Sequence, residues 1–489
     1  MSDSRAKAAT IAGELADRLS DPAAVEVAVR AGFDRARANG VQSADVAPWQ
    51  SYSLNGHAGV ALLHAESGHS RVAHRHLSAA ASSASQAAGL HTGLAGLAFA
   101  ARRSRRRRDE YRGLLGHIDD RVGRRARALL EQEDARCRRL PLKPTSNHIF
   151  DAISGLAGIG RYALWCAEQD GEAELISAIL SALTRLVRPS VVDGVEVPGW
   201  WAVNPPFPGS AGESLYRHGH LNFGLAHGIA GPLALLSTAW LRGIRVDGHD
   251  EAVEHFVDVL LASRRSDGYG PYWPGNRTLT QIRLGEATSG NPDRVAWCYG
   301  APGIARAVQL AGLALKRTTW ATAALEATRA AFARPESMWM VGDASLCHGW
   351  AGLLQTLTRI VDDGRDRVLE GEMHRVAARL VDLYQPDAPF GYRFQEPRTG
   401  RGLDEPGLLN GAAGIALALN SYANTTASAA GWDAALLLTL ILSRSGTPST
   451  CQRRRFGWMR RTGIVALRDD DLAALVEMRR TAAAVGQST

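Results

Sequence analysis

The chain has 489 residues, of which 45% are hydrophobic and 21% charged, and its formal net charge is +7 at pH 7. This composition is typical of an ordinary soluble globular protein. Its five cysteines are sparse and odd in number, which argues against a disulfide framework and for a reducing compartment. Residues 1–21 lack the apolar segment of a signal peptide. We therefore expect a cytoplasmic protein.

The sequence disfavours two further classes of protein. The longest apolar run, residues 434–442, is too short to span a bilayer and predicts a core helix, so the chain is not expected to span a membrane. The basic excess comes without a zinc-finger, RNP or helix-turn-helix signature, which disfavours nucleic acid as a partner.

A Gly-x-x-Gly turn recurs along the chain and predicts its architecture. Most copies are followed by a segment that is apolar nearly all round, as in helices buried on every side. Successive copies begin between 37 residues (Gly56 to Gly93) and 73 residues (Gly155 to Gly228) apart. The seven copies are Gly56/Gly59, Gly93/Gly96, Gly155/Gly158, Gly228/Gly231, Gly300/Gly303, Gly349/Gly352 and Gly411/Gly414.

Each interval has room for the buried helix, a second helix and a connection. Amphipathic stretches at 251–262 and 368–383 suit the second helices, and strand-like alternation is scarce. We predict an all-α fold, an α/α toroid (barrel) of seven helical hairpins with inner and outer helix layers. The N-termini of the inner helices would meet at one rim, where their partial positive charge suits an anionic ligand or intermediate.

The toroid domain is predicted over residues 1–445. Residues 446–489 lie beyond the seventh turn and form a predicted appendage with a basic patch and an amphipathic helix. Arginine is concentrated in residues 102–108 and 453–461. Such runs usually form solvated surface, and binding of an acidic partner is the alternative.

Two of the turns carry groups that can bind a metal. Cys298 stands just ahead of the fifth turn, and Cys347 and His348 stand just ahead of the sixth. Thiolate and imidazole are the usual ligands of zinc, and three of them leave the fourth tetrahedral position open for water or substrate. A buried, inert thiol is the ordinary role of a single cysteine. The shared register favours one zinc ion per chain.

Other turns carry ionisable residues. His227 precedes the first glycine of its turn, the register that Tyr299 and His348 occupy in theirs, which predicts a catalytic or substrate role. Asp151 can orient an imidazole or act as acid/base, with a helix cap as the alternative. Arg294 can stabilise a developing oxyanion or form a surface salt bridge. The nearby His218 and His220 remain alternative zinc ligands.

Together these motifs resemble the lanthionine synthetase C-like (LanC) family, the cyclases of lanthipeptide biosynthesis. The resemblance rests on Asn-Phe-Gly-Leu-Ala-His-Gly (222–228), Arg-Val-Ala-Trp-Cys-Tyr-Gly (294–300), Leu-Cys-His-Gly (346–349) and Leu-Leu-Asn-Gly (408–411), and it covers about residues 51–423. It implies a toroid of seven hairpins. It also implies zinc ligands Cys298, Cys347 and His348, and catalytic residues His227, Asp151, Arg294 and Tyr299.

The resemblance implies that the protein closes lanthionine and methyllanthionine thioether rings in a precursor peptide. A peptide cysteine thiolate would add to dehydroalanine or dehydrobutyrine, with His227 protonating the α-carbon. The implied partners are the leader and the dehydrated core of the precursor and a separate dehydratase, because the chain is too short to include dehydratase or kinase-like domains. A membrane-associated complex with that dehydratase stays open.

Two other functions fit the same features. One is a zinc-dependent α/α-barrel transferase that alkylates thiols, such as a prenyltransferase, although the turns carry no evident diphosphate pocket. The other is a non-catalytic LanC-like scaffold that binds glutathione or a partner protein, which the presence of both His227 and Asp151 disfavours.

Overall fold

A computed structural model describes residues 2–39, 49–83, 87–206, 213–285, 292–395, 402–424 and 431–439. Within these ranges the chain forms mainly α-helices. They are α1 (Ser2–Arg18), α2 (Pro22–Ala38), α3 (His57–Glu66), α4 (Ser70–Ser82), α5 (Leu94–Ser104), α6 (Arg112–Cys137), α7 (Asn147–Phe150), α8 (Leu156–Asp170), α9 (Glu174–Thr184), α10 (Ala230–Leu241), α11 (His249–Ala262), α12 (Leu279–Arg283), α13 (Ala301–Ala314), α14 (Thr318–Ala333), α15 (Trp350–Gly364), α16 (Arg367–Asp382) and α17 (Ala412–Ala423).

Short strands form four antiparallel pairs in the described ranges. The pairs are β1 (Ser190–Val192) with β2 (Val195–Val197), β3 (His220–Asn222) with β6 (Asn276–Thr278), β4 (Arg265–Asp267) with β5 (Gly270–Tyr272), and β7 (Phe394–Gln395) with β8 (Gly402–Leu403). Two of these pairs adjoin the predicted site: Asn222 ends β3, and the ring of Phe394 in β7 lies 5.6 Å from that of His348. None of the helices in the described ranges is both long and apolar enough to cross a bilayer.

The helices form a closed ring, which confirms the predicted all-α toroid. The seven helices that follow the glycine turns are α3, α5, α8, α10, α13, α15 and α17. Each packs against the next, and α17 packs back against α3. Their residues are buried on nearly every side, because a second layer covers the outside of the ring. That outer layer consists of α4, α6, α9, α11, α14, α16 and α1.

The seventh hairpin is assembled from the two ends of the toroid. A second helix was expected after every turn, but the outer partner of α17 is the N-terminal helix α1. One face of α1 carries Ala8, Ile11 and Leu15, all buried. This apolar face covers α17, so the N-terminus closes the outer layer.

The segment after this hairpin fills the centre of the ring. The predicted core helix at 434–442 is wrong for its described part. Trp432–Leu436 is a 3₁₀ turn, and the chain reverses at Leu437, where φ is +57°. Buried side chains from several repeats bind this segment: His91 Nε2 to Ala435 O (2.9 Å), Trp297 Nε1 to Leu436 O (2.9 Å), Arg306 Nε to Leu438 O (2.8 Å) and Gln355 Nε2 to Asp433 Oδ2 (2.7 Å).

We call residues 431–439 the plug, because inner-layer residues from opposite sides of the ring contact them. The described residues belong to one unit that ends at Thr439. The predicted appendage at 446–489 and the arginine run at 453–461 lie outside the described residues.

Hydrogen bonds to main-chain groups join each glycine turn to its neighbour. In the described chain six of the seven junctions have at least one that joins two main-chain groups: Leu408 N to Leu54 O (2.7 Å), His91 N to Ile153 O (3.1 Å), Ala152 N to Ala226 O (2.9 Å), Leu225 N to Cys298 O (3.0 Å), Cys298 N to Cys347 O (3.2 Å) and Cys347 N to Leu409 O (2.9 Å). The junction between the first two turns uses the Tyr52 hydroxyl, which donates to Thr92 O (3.4 Å). The turns thus form one rigid mouth.

The second glycine of each turn is required by close contact with a carbonyl group. A Cβ atom at Gly352 would lie 1.8 Å from Leu346 O, and one at Gly303 would lie 2.1 Å from Trp297 O. Both glycines lie inside helices and have no unusual φ, so the constraint is steric. Among the first glycines, Gly300 also has a positive φ of +88°, which favours glycine.

We predict that Gly352→Ala destabilises the protein by about 2–3 kcal/mol, because the turn must open to admit the methyl group. The matched control is Gly371→Ala on α16, where a Cβ would meet nothing within 4 Å and alanine should stabilise the helix slightly. Urea denaturation of both variants measures the difference. Equal stabilities would contradict the steric account of the turns.

Candidate active site

A ring of polar side chains lines the mouth of the toroid. The residue before the first glycine of a turn is polar in all seven copies: Asn55, Thr92, Ser154, His227, Tyr299, His348 and Asn410. Their main chains are held by the hydrogen bonds between turns, so their spacing around the mouth is fixed. The ionisable members are concentrated in the fourth, fifth and sixth turns.

The predicted metal ligands lie together. The Sγ atoms of Cys298 and Cys347 and a ring nitrogen of His348 are all within 4.8 Å of one another. In the described part of the chain, no other three His, Cys, Asp or Glu side chains are so arranged. Cys298 is buried, whereas the other two are partly exposed toward the mouth. The Cys298 N–H bond to Cys347 O sets the distance between the two turns.

The electrostatics of this cluster suit a cation. A hydrogen bond with the Cys347 thiol, together with burial, raises the pKa of the Cys298 thiol well above its usual range. Two adjacent thiolates repel each other unless a positive charge lies between them. His348 Nε2 is buried without a hydrogen-bond partner in the described residues, and Asp343 Oδ2 lies 4.0 Å from it. Two thiols and an imidazole are a donor set that fits zinc.

His227 and Asp151 form a hydrogen-bonded pair beside this cluster. Asp151 Oδ2 lies 2.8 Å from His227 Nδ1. The other carboxylate oxygen, Oδ1, accepts from the N–H groups of Ser154 (2.8 Å) and Gly155 (2.7 Å). These two residues lie in the turn before α8, whose N-cap is Gly155, so Asp151 holds the turn and is not the helix cap considered as its alternative role. Asp151 is fully buried, while the imidazole is 34% exposed. Since Nδ1 faces the carboxylate, Nε2 is the nitrogen free to exchange a proton.

Tyr299 links the imidazole to the cysteine cluster. It follows Cys298 in the chain, and its ring centroid lies 6.5 Å from that of His227. Its hydroxyl oxygen accepts a hydrogen bond from Asn222 Nδ2 (3.1 Å). Burial raises the pKa of the Tyr299 phenol well above its usual range, so the group stays protonated.

Arg294 is half-buried at the edge of the same turn. Its main-chain N–H donates to Asp293 Oδ1 (2.7 Å). Within the described ranges the guanidinium itself has no hydrogen-bond or ion-pair partner, so these ranges give the surface salt bridge no support. Its five donors remain available to a bound molecule.

The other candidate ligands lie elsewhere. His218 Nδ1 pairs with Asp193 Oδ2 (2.6 Å) at the surface, and His220 is buried within β3. Neither belongs to the three-ligand cluster. Cys166 is a buried thiol on α8, and Cys137 lies against Glu133 on α6.

The arginine run at 102–108 is only partly a solvated surface. Arg102 is 8% exposed and donates to Tyr162, Asp119 and Asp170. The guanidinium of Arg103 lies 4.6 Å from the centroid of the Trp165 ring. Arg106, Arg107 and Arg108 are exposed. The buried half of the run therefore stabilises the packing of α5 against its neighbours. The exposed half has weaker contacts, such as that of Arg107 Nε with Asp109 (3.4 Å) and that of Arg108 with Gln169 O.

Two residues with contacts at the site were not singled out from the sequence. Asn222 binds Tyr299, and Asp343 lies near His348. Both stand six residues before the first glycine of their turn, as Arg294 does. This shared position relative to the glycine turn is the sequence signal by which Asn222 and Asp343 could have been identified.

Comparisons with known proteins identify the family and the fold of the chain. Residues 48–437 match the family described as "Lanthionine synthetase C-like protein". The nisin biosynthesis protein NisC of Lactococcus lactis subsp. lactis is 23% identical over 267 residues, which are 54% of this chain and 60% of that protein. A solved structure of nisin cyclase superposes with a TM-score of 0.66 at 20% identity, over 85% of this chain and 96% of that one.

Proposed function

Because the chain belongs to the lanthionine synthetase C-like family, we propose that it is a zinc-dependent cyclase that forms lanthionine or methyllanthionine rings in a dehydrated precursor peptide. The observation that carries the proposal is the adjacency of two chemical groups in one mouth. The Cys298–Cys347–His348 cluster lies one turn from the Asp151–His227 pair. A thiol-binding group and a proton donor are what ring closure needs.

Three side chains would hold the metal: Cys298, Cys347 and His348. Zinc bound there would supply a fourth coordination position and lower the pKa of a substrate thiol. The polypeptide fixes its ligands through the bond between Cys298 N and Cys347 O. Asp343 Oδ2, 4.0 Å from His348 Nε2, adds negative charge beside the cluster but is too far away to hydrogen-bond the imidazole.

Ring closure forms a C–S bond and converts the carbon–carbon double bond of the dehydrated residue to a single bond. The thiol proton is released and one proton is added at the α-carbon, so the peptide mass does not change. His227 Nε2 is the atom suited to deliver that proton, since Nδ1 is committed to Asp151. The buried carboxylate stabilises the protonated imidazole before transfer.

Negative charge develops on the carbonyl oxygen of the attacked residue during addition. The guanidinium of Arg294, which has no partner among the described residues, is a candidate to stabilise it. Preorganised donors are effective here because they need no rearrangement as the charge appears.

The test is to incubate the protein with a dehydrated precursor and then trap free thiols. Loss of free thiols without a change of mass supports cyclisation. A mass gain would instead indicate the thiol-alkylating transferase, and unchanged peptide that remains bound would indicate the non-catalytic scaffold.

We predict about one zinc per chain, lost in Cys347→Ala and in Cys298→Ala, because each variant leaves only two protein ligands. Cys166→Ala, which removes a buried thiol outside the cluster, is the control and should keep the metal. Elemental analysis of the purified variants measures this. Full zinc retention in both cluster variants would contradict the assignment of Cys298 and Cys347 as zinc ligands.

We predict that His227→Ala keeps its zinc but loses cyclisation by about 10²–10⁴-fold, the usual contribution of a positioned acid. Asp151→Asn should also keep zinc and lose most of its cyclisation, because the amide keeps its oxygen on Ser154 and Gly155 but turns an N–H group toward His227 Nδ1. The control is His117→Ala, an exposed histidine of α6. The assignment of His227 as the acid fails if His227→Ala releases zinc as readily as His348→Ala does.

The proposed partners are the precursor leader peptide and a separate dehydratase, in a cytoplasmic setting. An acidic leader would be attracted by the exposed arginines at 106–108. Such contacts are screened over about 8–10 Å at physiological ionic strength. They should therefore affect the association rate more than the chemical step.

We predict that leader affinity falls steeply with salt and that changing Arg106, Arg107 and Arg108 to Glu slows association. A matched control changes Arg124, Arg125 and Arg127, which are exposed on α6, to Glu. Stopped-flow binding at several salt concentrations compares the two. Rates that are equal in both variants and independent of salt would exclude this surface.

A further inference from the structure

Asn222 is a buried residue at the site with no role in the chemistry described so far. Its side chain is fully buried at the end of β3, opposite Asn276 of β6. Its carbonyl accepts a hydrogen bond from Ile229 N (3.1 Å) on the far side of the His227 turn. The main chain of Asn222 is therefore held on two sides.

The orientation of its amide follows from its partners. Oδ1 lies 3.0 Å from the N–H of Gly224, and a main-chain N–H can only donate. The oxygen must face Gly224, so Nδ2 faces Tyr299. The fit is tight, because a Cβ atom at Gly228 would lie 2.5 Å from Oδ1. The reversed amide would bring two donors together at Gly224.

This orientation determines what the Tyr299 hydroxyl can do. The amide Nδ2 has only protons to offer, so at 3.1 Å the phenol oxygen is the acceptor. The hydroxyl proton cannot point at Asn222. No acceptor in the described chain receives it, and the phenol ring lies beside His227 in the mouth.

We propose that Asn222 is a positioning residue that commits the Tyr299 hydroxyl to donate into the mouth, toward the carbonyl oxygen of the dehydrated residue that the thiol attacks. This inference rests on the proposed cyclase function. Tyr299 would then share with Arg294 the charge that develops on that oxygen. The phenol keeps its own proton throughout, and His227 remains the source of the proton at carbon.

An uncharged amide suits this role better than a carboxylate would. Aspartate has nearly the same shape, but when ionised it only accepts hydrogen bonds. It would draw the phenol proton away from the mouth and leave the substrate oxygen without its donor. The proposed role of Asn222 therefore depends on one atom, its Nδ2.

The first test compares Asn222→Asp with Asn222→Leu. Asn222→Asp should lower kcat for ring closure by about 10²-fold, the effect of losing one such donor. Asn222→Leu removes the amide without adding an acceptor, and it should lower kcat by about 10-fold. KM and zinc content should match the wild type in both. Asn420→Asp, the same change on α17, is the control and should retain full activity.

The second test is a double-mutant comparison. Tyr299→Phe should lose about as much kcat as Asn222→Asp, and the double variant should lose no more than Tyr299→Phe alone, because both changes remove the same donor. Losses that multiply would show that Asn222 acts independently of Tyr299 and would overturn the proposal. Wild-type kcat in both Asn222 variants would overturn it as well.

The third test does not need cyclisation. In protein labelled with ¹³C at tyrosine Cζ, the Tyr299 resonance is identified by its loss in Tyr299→Phe. It should move downfield at pH 8 in Asn222→Asp, where the phenol donates to a carboxylate, and it should also shift in Asn222→Leu. A resonance unchanged in both variants contradicts the proposal. A wild-type protein that closes no rings refutes the cyclase function but leaves this result interpretable.

Discussion

The main-chain hydrogen bonds between neighbouring turns are the constraint on which the site depends. Each glycine turn presents one or two groups to the next turn, and the distances of 2.7–3.2 Å leave little freedom at six junctions. Because these bonds lie one or two residues from the polar ring, they position its side chains directly. The glycines keep each turn tight, since a Cβ at Gly303 or Gly352 would overlap a carbonyl oxygen of its own turn. They also admit the neighbouring turn, since a Cβ at Gly59 would lie 2.8 Å from Leu408 N. Packing of the helices behind the turns keeps the ring closed.

Closure of the ring depends on segments distant in sequence. The N-terminal helix α1 covers α17, and the plug fills the space between the inner helices. The plug also reaches the site, because its carbonyl at Leu436 accepts the indole N–H of Trp297, the residue before Cys298. Buried polar contacts of this kind are costly if one partner is lost. The geometry of the cysteine cluster is thus supported from below by the plug and laterally by the neighbouring turns.

The repeat count, the two helix layers and the toroid were all predictable from the sequence, because glycine spacing and apolar segments are local signals. The cysteine cluster was predictable for a related reason: residues in the same register of neighbouring turns must lie close together. The helix predicted at 434–442 is wrong over its described residues, 434–439, because the surrounding ring buries their apolar side chains without requiring helical periodicity. The outer partner of α17 could not be read locally either, since α1 lies at the other end of the chain. The arginine run at 102–108 is partly buried because Arg102 pairs with Asp119 and Asp170. Only the fold brings these two carboxylates close to Arg102.

Asn222 and Asp151 show how buried side chains in the turns determine which atom of a neighbouring side chain is left free. Each is fully buried, binds a main-chain N–H with one side-chain atom and turns the other toward a reactive side chain. A carboxylate oxygen facing His227 Nδ1 leaves Nε2 as the proton-exchanging atom, whereas an amide nitrogen facing Tyr299 leaves the phenol proton free. In the proposed reaction, this difference between a charged acceptor and a neutral donor would make His227 the acid and Tyr299 the hydrogen-bond donor. The shared register of the turns brings Asp151 close to His227 and Asn222 close to Tyr299. Which side-chain atom faces the neighbour is decided by the N–H groups of Gly155 and Gly224, which bind the other side-chain atom.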